Sequence, residues 1–130
     1  MIKINFFVNA RYAVDRKKLR SKAEEIFKQH NIDNIQLDIS IVGSRKIKEL
    51  NEKHLKHKGE TDVLSFPQQR SVSNKEEFPL PKEELAHLGE VVMSFPQAVA
   101  TAKRYGKMVD DQLCFYLEHG LMHLMGYHHQ

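Results

Sequence analysis

Cysteine is nearly missing from this 130-residue chain, in which Cys114 stands alone. A disulfide framework and a thiolate cluster are thereby excluded, so any metal site must be built from His, Asp and Glu. Long apolar runs are missing too. No uncharged stretch approaches a bilayer span, and Met1 to Ala10 lack the layout of a signal peptide, so a cytoplasmic protein with no membrane partner is expected. Hydrophobic residues at 41% and charged residues at 28% match ordinary globular usage and exclude disordered and fibrous classes. The length holds material for one core, and no repeat or internal boundary is visible. One domain over residues 1–130 is expected.

Charge is present but unevenly spread. The net of +3 divides into 14 Lys/Arg against 8 Asp/Glu up to Glu60, and 6 against 9 from Thr61 onward. A basic first half suits an anionic partner such as RNA.

Alternating apolar residues Ile2, Ile4, Phe6 and Val8 predict a strand, and Ile35 to Val42 predict a second one ending at Gly43. Between them Asp15 is placed to cap a helix reaching about His30, with Leu19, Ala23, Ile26 and Phe27 as its stripe. Ser44 is expected to cap a helix carrying Ile47, Leu50 and Leu55. Thr61 to Pro67 reads as a short β run stopped by proline, and Gln68 to Glu84 as a long loop. Leu88 to Ser94 predicts a further strand. Pro96 then opens a helix that reaches Tyr105 and stops at Gly106. The last helix starts near Met108 to Asp110 and runs to about Met125. It is apolar on nearly every side, which predicts burial inside the fold.

Four of the eight histidines, His119, His123, His128 and His129, fall in the last twelve residues. His119 and His123 lie one turn apart on one helix face, a two-ligand grip on a transition metal. Gly126 can turn the chain back to deliver a third imidazole, giving H-x3-H-x2-G-x2-H with His129. At this chain's composition such a pattern arises by chance about once in a thousand sequences. Burying two unpartnered imidazoles costs a few kcal/mol each, roughly, and a shared metal removes that cost. His30, His54, His57 and His87 read as ordinary surface or core residues, and Cys114 as a packed core thiol. The histidine spacing is that of the metzincin proteases, but their general-base glutamate is here Gly120, and Glu118 faces elsewhere. Peptide hydrolysis is disfavoured.

His119-Gly-Leu-Met-His-Leu-Met-Gly-Tyr-His-His129 resembles the H-G-x-x-H-L-x-G-Y-D-H signature of the YbeY family of rRNA maturation factors. Thr61-Asp-Val-Leu-Ser-Phe-Pro67 and Leu88-Gly-Glu-Val-Val-Met-Ser94 are similar to that family's two other signatures, in the same order and separation. The resemblance implies an α+β, zincin-like fold, with a mixed sheet of about four strands, surrounding helices and a central ligand-bearing helix. It implies a single-strand-specific, zinc-dependent endoribonuclease acting in small-subunit rRNA 3′-end maturation and ribosome quality control. His119, His123 and His129 would hold one Zn²⁺ per chain. The implied partners are rRNA and the small ribosomal subunit, with assembly factors also expected. Three departures stand out. His128 replaces the family's aspartate and leaves two histidines able to be the third ligand, with spacing favouring His129. Leu55 falls where a basic residue is common. The chain stops at Gln130, from which a frayed last ligand and weak metal affinity are expected.

Three neutral imidazoles leave a divalent ion its charge and one open position for water. Either that water or a ribose 2′-OH can then attack phosphorus. Asp62 and Glu90 are expected to orient a ligand or the water. Arg45, Lys46, Lys48, Lys53, Lys56 and Lys58 are expected to form a salt-sensitive RNA track. Two other classes stay open. One is a non-catalytic, zinc-stabilised RNA-binding or ribosome-assembly protein, and the other a metal hydrolase of another substrate.

Overall fold

The computed structural model describes residues 1–54, 61–68 and 85–126. Among them the elements run β1 (Ile2–Val8), α1 (Arg16–Gln29), β2 (Ile35–Val42), α2 (Ser44–His54), β3 (Val63–Pro67), β4 (Ala86–Ser94), α3 (Phe95–Tyr105) and α4 (Val109–Leu124). The sheet order is β1-β2-β4-β3. β1, β2 and β4 are parallel, and β3 runs antiparallel to β4 at the edge. The result is a four-stranded mixed sheet in an α+β fold, as the family resemblance implies.

Local signals account for most boundaries. The Asp15 carboxylate accepts from the Lys18 backbone N–H, and the Ser94 hydroxyl accepts from that of Gln97, each satisfying a donor the first helical turn leaves orphaned. Three boundaries differ from expectation, one of them the start of β3, which begins at Val63 and not at Thr61. Ser44 is the first residue of α2 rather than its cap, and the Gly43 carbonyl accepts the Ile47 N–H. β4 begins at Ala86 instead of Leu88 because Ala86 pairs with Ile35 at the start of β2. The neighbouring strand, not local propensity, sets that start. Leu55 and residues 69–84 of the expected loop lie outside the described residues.

Alternation along the strands sends side chains to two unlike faces. On one face Ile4, Leu37, Ile39, Ile41, Val91 and Met93 meet Leu19, Ile26 and Phe27 of α1 and Leu113, Leu117 and Leu121 of α4. On the other, Ile47 of α2 packs on Leu64 and Val92, with Leu50 and Phe66 beside them. The rest of that second face is largely polar, with Phe7 left exposed on it. Asn5 donates to Asp38 at 2.9 Å, and the Ser40 hydroxyl donates to Glu90. His87 Nε2 lies 3.1 Å from Asp38, close enough for an ion pair yet misaligned for a hydrogen bond.

The last helix is not buried all round. Leu113, Leu117, Gly120 and Leu121 are enclosed, whereas Asp111, Glu118 and His119 are exposed and Phe115 is 58% exposed. Its apolar residues exceed what the sheet, α1 and α3 can cover, so one stripe faces solvent. Burial therefore does not force a metal on His119, and the pair's case rests on geometry.

Candidate metal-binding cleft

Helix α4 reaches the sheet at Gly120. A Cβ there would lie 2.7 Å from Val91 Cγ1, well inside any real contact, so only glycine lets the helix sit this low. Its N-terminal half is tied to α3, where the Tyr116 hydroxyl lies 3.3 Å from Thr101 Oγ1. With the helix so seated, His119 and His123 rise beside edge strand β3. Their ring centroids are 4.9 Å apart with planes tilted by 59°. The two rings and Gly120 share a cleft of about 280 Å³ with Val63, Leu64 and Ser65. The spacing suits two donors on one ion, and imidazole nitrogen suits zinc and similar transition metals.

The helix ends as the sequence predicts. Gly126 takes a φ of 92°, and its N–H reaches the His123 carbonyl at 3.1 Å. A side chain at this position would be strained. His128 and His129 lie beyond the described residues. Among the described residues no group of three or more His, Cys, Asp or Glu gathers to hold a metal. Two imidazoles of the expected set are thus brought together here.

Of the two carboxylates expected near the site, Glu90 is turned away from it and Asp62 stands next to Val63 of the cleft wall. Glu90 is on the α2 face of β4, bonded to Ser40, while its neighbour Val91 faces α4. Asp62 is exposed just before β3, and its backbone carbonyl accepts the Ser94 N–H at 2.9 Å. Arg45, Lys46, Lys48 and Lys53 are exposed on α2, across the sheet from the histidine pair. Lys56 and Lys58 lie outside the described residues. The two regions meet at β3, where Leu64 packs under α2 and also lines the cleft.

Sequence reasoning overlooked Ser65. Its hydroxyl is the polar side chain that β3 brings to the cleft, and period-two alternation with Val63 was the signal for it. The reason for Gly120 was also hidden, since only the assembled fold shows what it must clear. Cys114 is buried in the main core, and burial pushes its thiol above the ordinary value, with Lys18 and Lys22 pulling it back. It is a packing residue.

A helix with two imidazoles one turn apart, set over a cleft at the edge of a mixed sheet, is a layout used by metal-dependent hydrolases. The family model described as Endoribonuclease YbeY matches residues 5–130, and the chain belongs to that family. The chain is 40% identical over 121 residues to Endoribonuclease YbeY of Dehalococcoides mccartyi, covering 89% of this chain and 76% of that protein. It is 31% identical to the protein of that name from Sulfurihydrogenibium sp., covering 90% and 71%. The solution structure of a Thermotoga maritima protein matches with a TM-score of 0.59 and 26% identity, over 100% of this chain and 75% of that one.

Proposed function

We propose that this endoribonuclease cuts single-stranded RNA with one zinc ion held by His119, His123 and His129. Its target would be the 3′ end of small-subunit rRNA, in maturation and ribosome quality control. The carrying observation is the histidine pair, 4.9 Å apart and open to a cleft of about 280 Å³. Membership in the Endoribonuclease YbeY family supports the substrate class. In this reading residues 1–130 act as one domain in the cytoplasm, with rRNA and the small subunit as partners and assembly factors alongside. Among the described residues no helix is long and apolar enough to cross a membrane.

When bound, a divalent ion supplies positive charge for a non-bridging phosphate oxygen and acidity for a water molecule. The chain's own part is placement. The turn between His119 and His123 fixes two nitrogens relative to β3, and Gly120 holds that distance against the sheet. Val63 gives the cleft an apolar wall. The Ser65 hydroxyl can donate to a phosphate oxygen or accept from a ribose hydroxyl. Backbone phosphates leading to the cleft would pass the β3 edge toward Arg45, Lys46, Lys48 and Lys53. Contacts of that kind are salt-sensitive and largely indifferent to sequence.

The test pairs metal analysis with product analysis. Purified protein should carry one zinc per chain and cut a single-stranded oligoribonucleotide while sparing its duplex. A 2′,3′-cyclic phosphate at the new end assigns attack to the ribose hydroxyl, whereas a 5′-phosphate with a free 3′-hydroxyl assigns it to water. Cleavage of casein without cleavage of RNA would sink the reading. So would loss of folding, with unchanged RNA affinity, when His123 is replaced, since that result marks a structural metal.

A further inference from the structure

The exposed stripe of α4 carries more than the histidines. Phe115, His119 and His123 recur at intervals of four residues and so follow one another along one side of the helix. Phe115 stands one turn, about 6 Å, before His119, on the scale of a single nucleotide step in an extended strand. Its ring is 58% exposed, a costly placement for a large apolar group unless something covers it. Lys107 Nζ lies 5.3 Å from the ring centroid, and among the described residues it has no carboxylate partner.

Beside this ring the α1–α4 boundary opens a cleft of about 510 Å³. Three lysines (Lys18, Lys22, Lys107) and three carboxylates (Glu25, Asp111, Glu118) line it. Lys18 pairs with Asp111, and Lys22 lies 3.7 Å from Glu118. Formal charge therefore cancels, and the cleft as a whole is a poor phosphate site. What it offers is a flat ring, an ammonium lying over one face of that ring and carboxylates able to accept from exocyclic amines. Those are the contacts an unpaired nucleobase uses.

We infer that Phe115 and Lys107 form a stacking subsite for one unpaired base next to the nucleotide that is cut. The ring takes the base and the Lys107 ammonium takes its phosphate. The subsite rests on the reading that this site cleaves single-stranded RNA, and it makes Phe115 a positioning residue for that reaction.

The test uses the zinc-loaded full chain and a 2′-O-methyl oligonucleotide with 2-aminopurine walked through successive positions. Wild type should quench the probe at one position. Phe115→Ala should abolish that quenching and weaken binding about fivefold, the lower end of what base–aromatic stacking contributes. Phe115→Tyr should restore both. An abasic nucleotide at that position should cost wild type the same factor and cost Phe115→Ala nothing further. On cleavable RNA, Phe115→Ala should raise KM with kcat retained, and Lys107→Ala should raise KM less. Phe115 is exposed, so a matching circular dichroism melt is expected and excludes misfolding. Equal affinity of wild type and Phe115→Ala, with equal abasic penalties, would overturn the subsite while leaving endoribonuclease activity standing. Position-specific quenching by a wild type that cuts no RNA would support the subsite and remove the reaction instead.

Discussion

The two faces of the sheet are built from the same four strands and do different work. Under α1 and α4 the strands present a continuous apolar layer, and the histidine pair stands at its margin beside β3. Under α2 only Leu64, Val92 and their neighbours are covered, and the remainder is the polar set Asn5, Asp38, His87, Ser40 and Glu90 together with exposed Phe7. One residue's shift along a strand exchanges these environments. Proximity in sequence to a signature is therefore a weak guide to proximity to the site, as Glu90 and Val91 illustrate.

Removing a donor from the histidine face should give the largest effect. His123→Ala is expected to lower cleavage of single-stranded RNA by at least about a hundredfold. Its urea midpoint should stay close to wild type, because the ring is only half buried. Next comes the seat of the same helix. Gly120→Ala forces a methyl toward Val91 and should destabilise the fold by about 1–3 kcal/mol in urea titration, with cleavage falling as the helix shifts.

On the opposite face the expected losses are smaller and of another kind. Replacing Arg45, Lys46 and Lys48 with alanine should weaken RNA binding and flatten the salt slope by up to about 2 units, without moving the melting temperature. Ser40→Ala deprives Glu90 of its hydroxyl donor. It should cost about 1 kcal/mol of stability, read by chemical denaturation, while cleavage is retained.

The smallest effect lies at the far end of β1. A hydrogen bond from the Met1 ammonium, then one from the Asn34 N–H, holds the Asp33 carboxyl below its ordinary range. A group lowered in the folded state adds stability above its unfolded value and loses it as pH falls through the folded one. Asp33→Asn should therefore flatten the acid limb of a melting-temperature profile slightly and change little at neutral pH, since both groups are exposed.

Most of the fold was legible because its signals are local. Asp15 and Ser94 are caps by their own chemistry, and β1 and β2 alternate cleanly. The His119–His123 pair was legible for the same reason, since one turn of helix fixes its spacing. What resisted reading depends on assembly. Parity along β4 separates Glu90 from Val91, but parity alone does not say which face receives α4. Composition made α4 look enclosed, yet Phe115 shows that an apolar residue can be left over once the available partners are used. The α2 lysines were visible as charge, but not as charge on the opposite side from the histidines.

Gly120 acts through the atoms it lacks. A contact holds two elements together, whereas a missing side chain sets how close they can come, and here that clearance decides the height of the imidazoles above Val91 and their offset from β3. The cleft's width thus depends on how closely the helix backbone at Gly120 can approach the Val91 side chain. A site gauged in this way leaves Ser65 as the wall residue able to tune what enters, since Leu64 is held in the core under α2 and Val63 stands against Gly120.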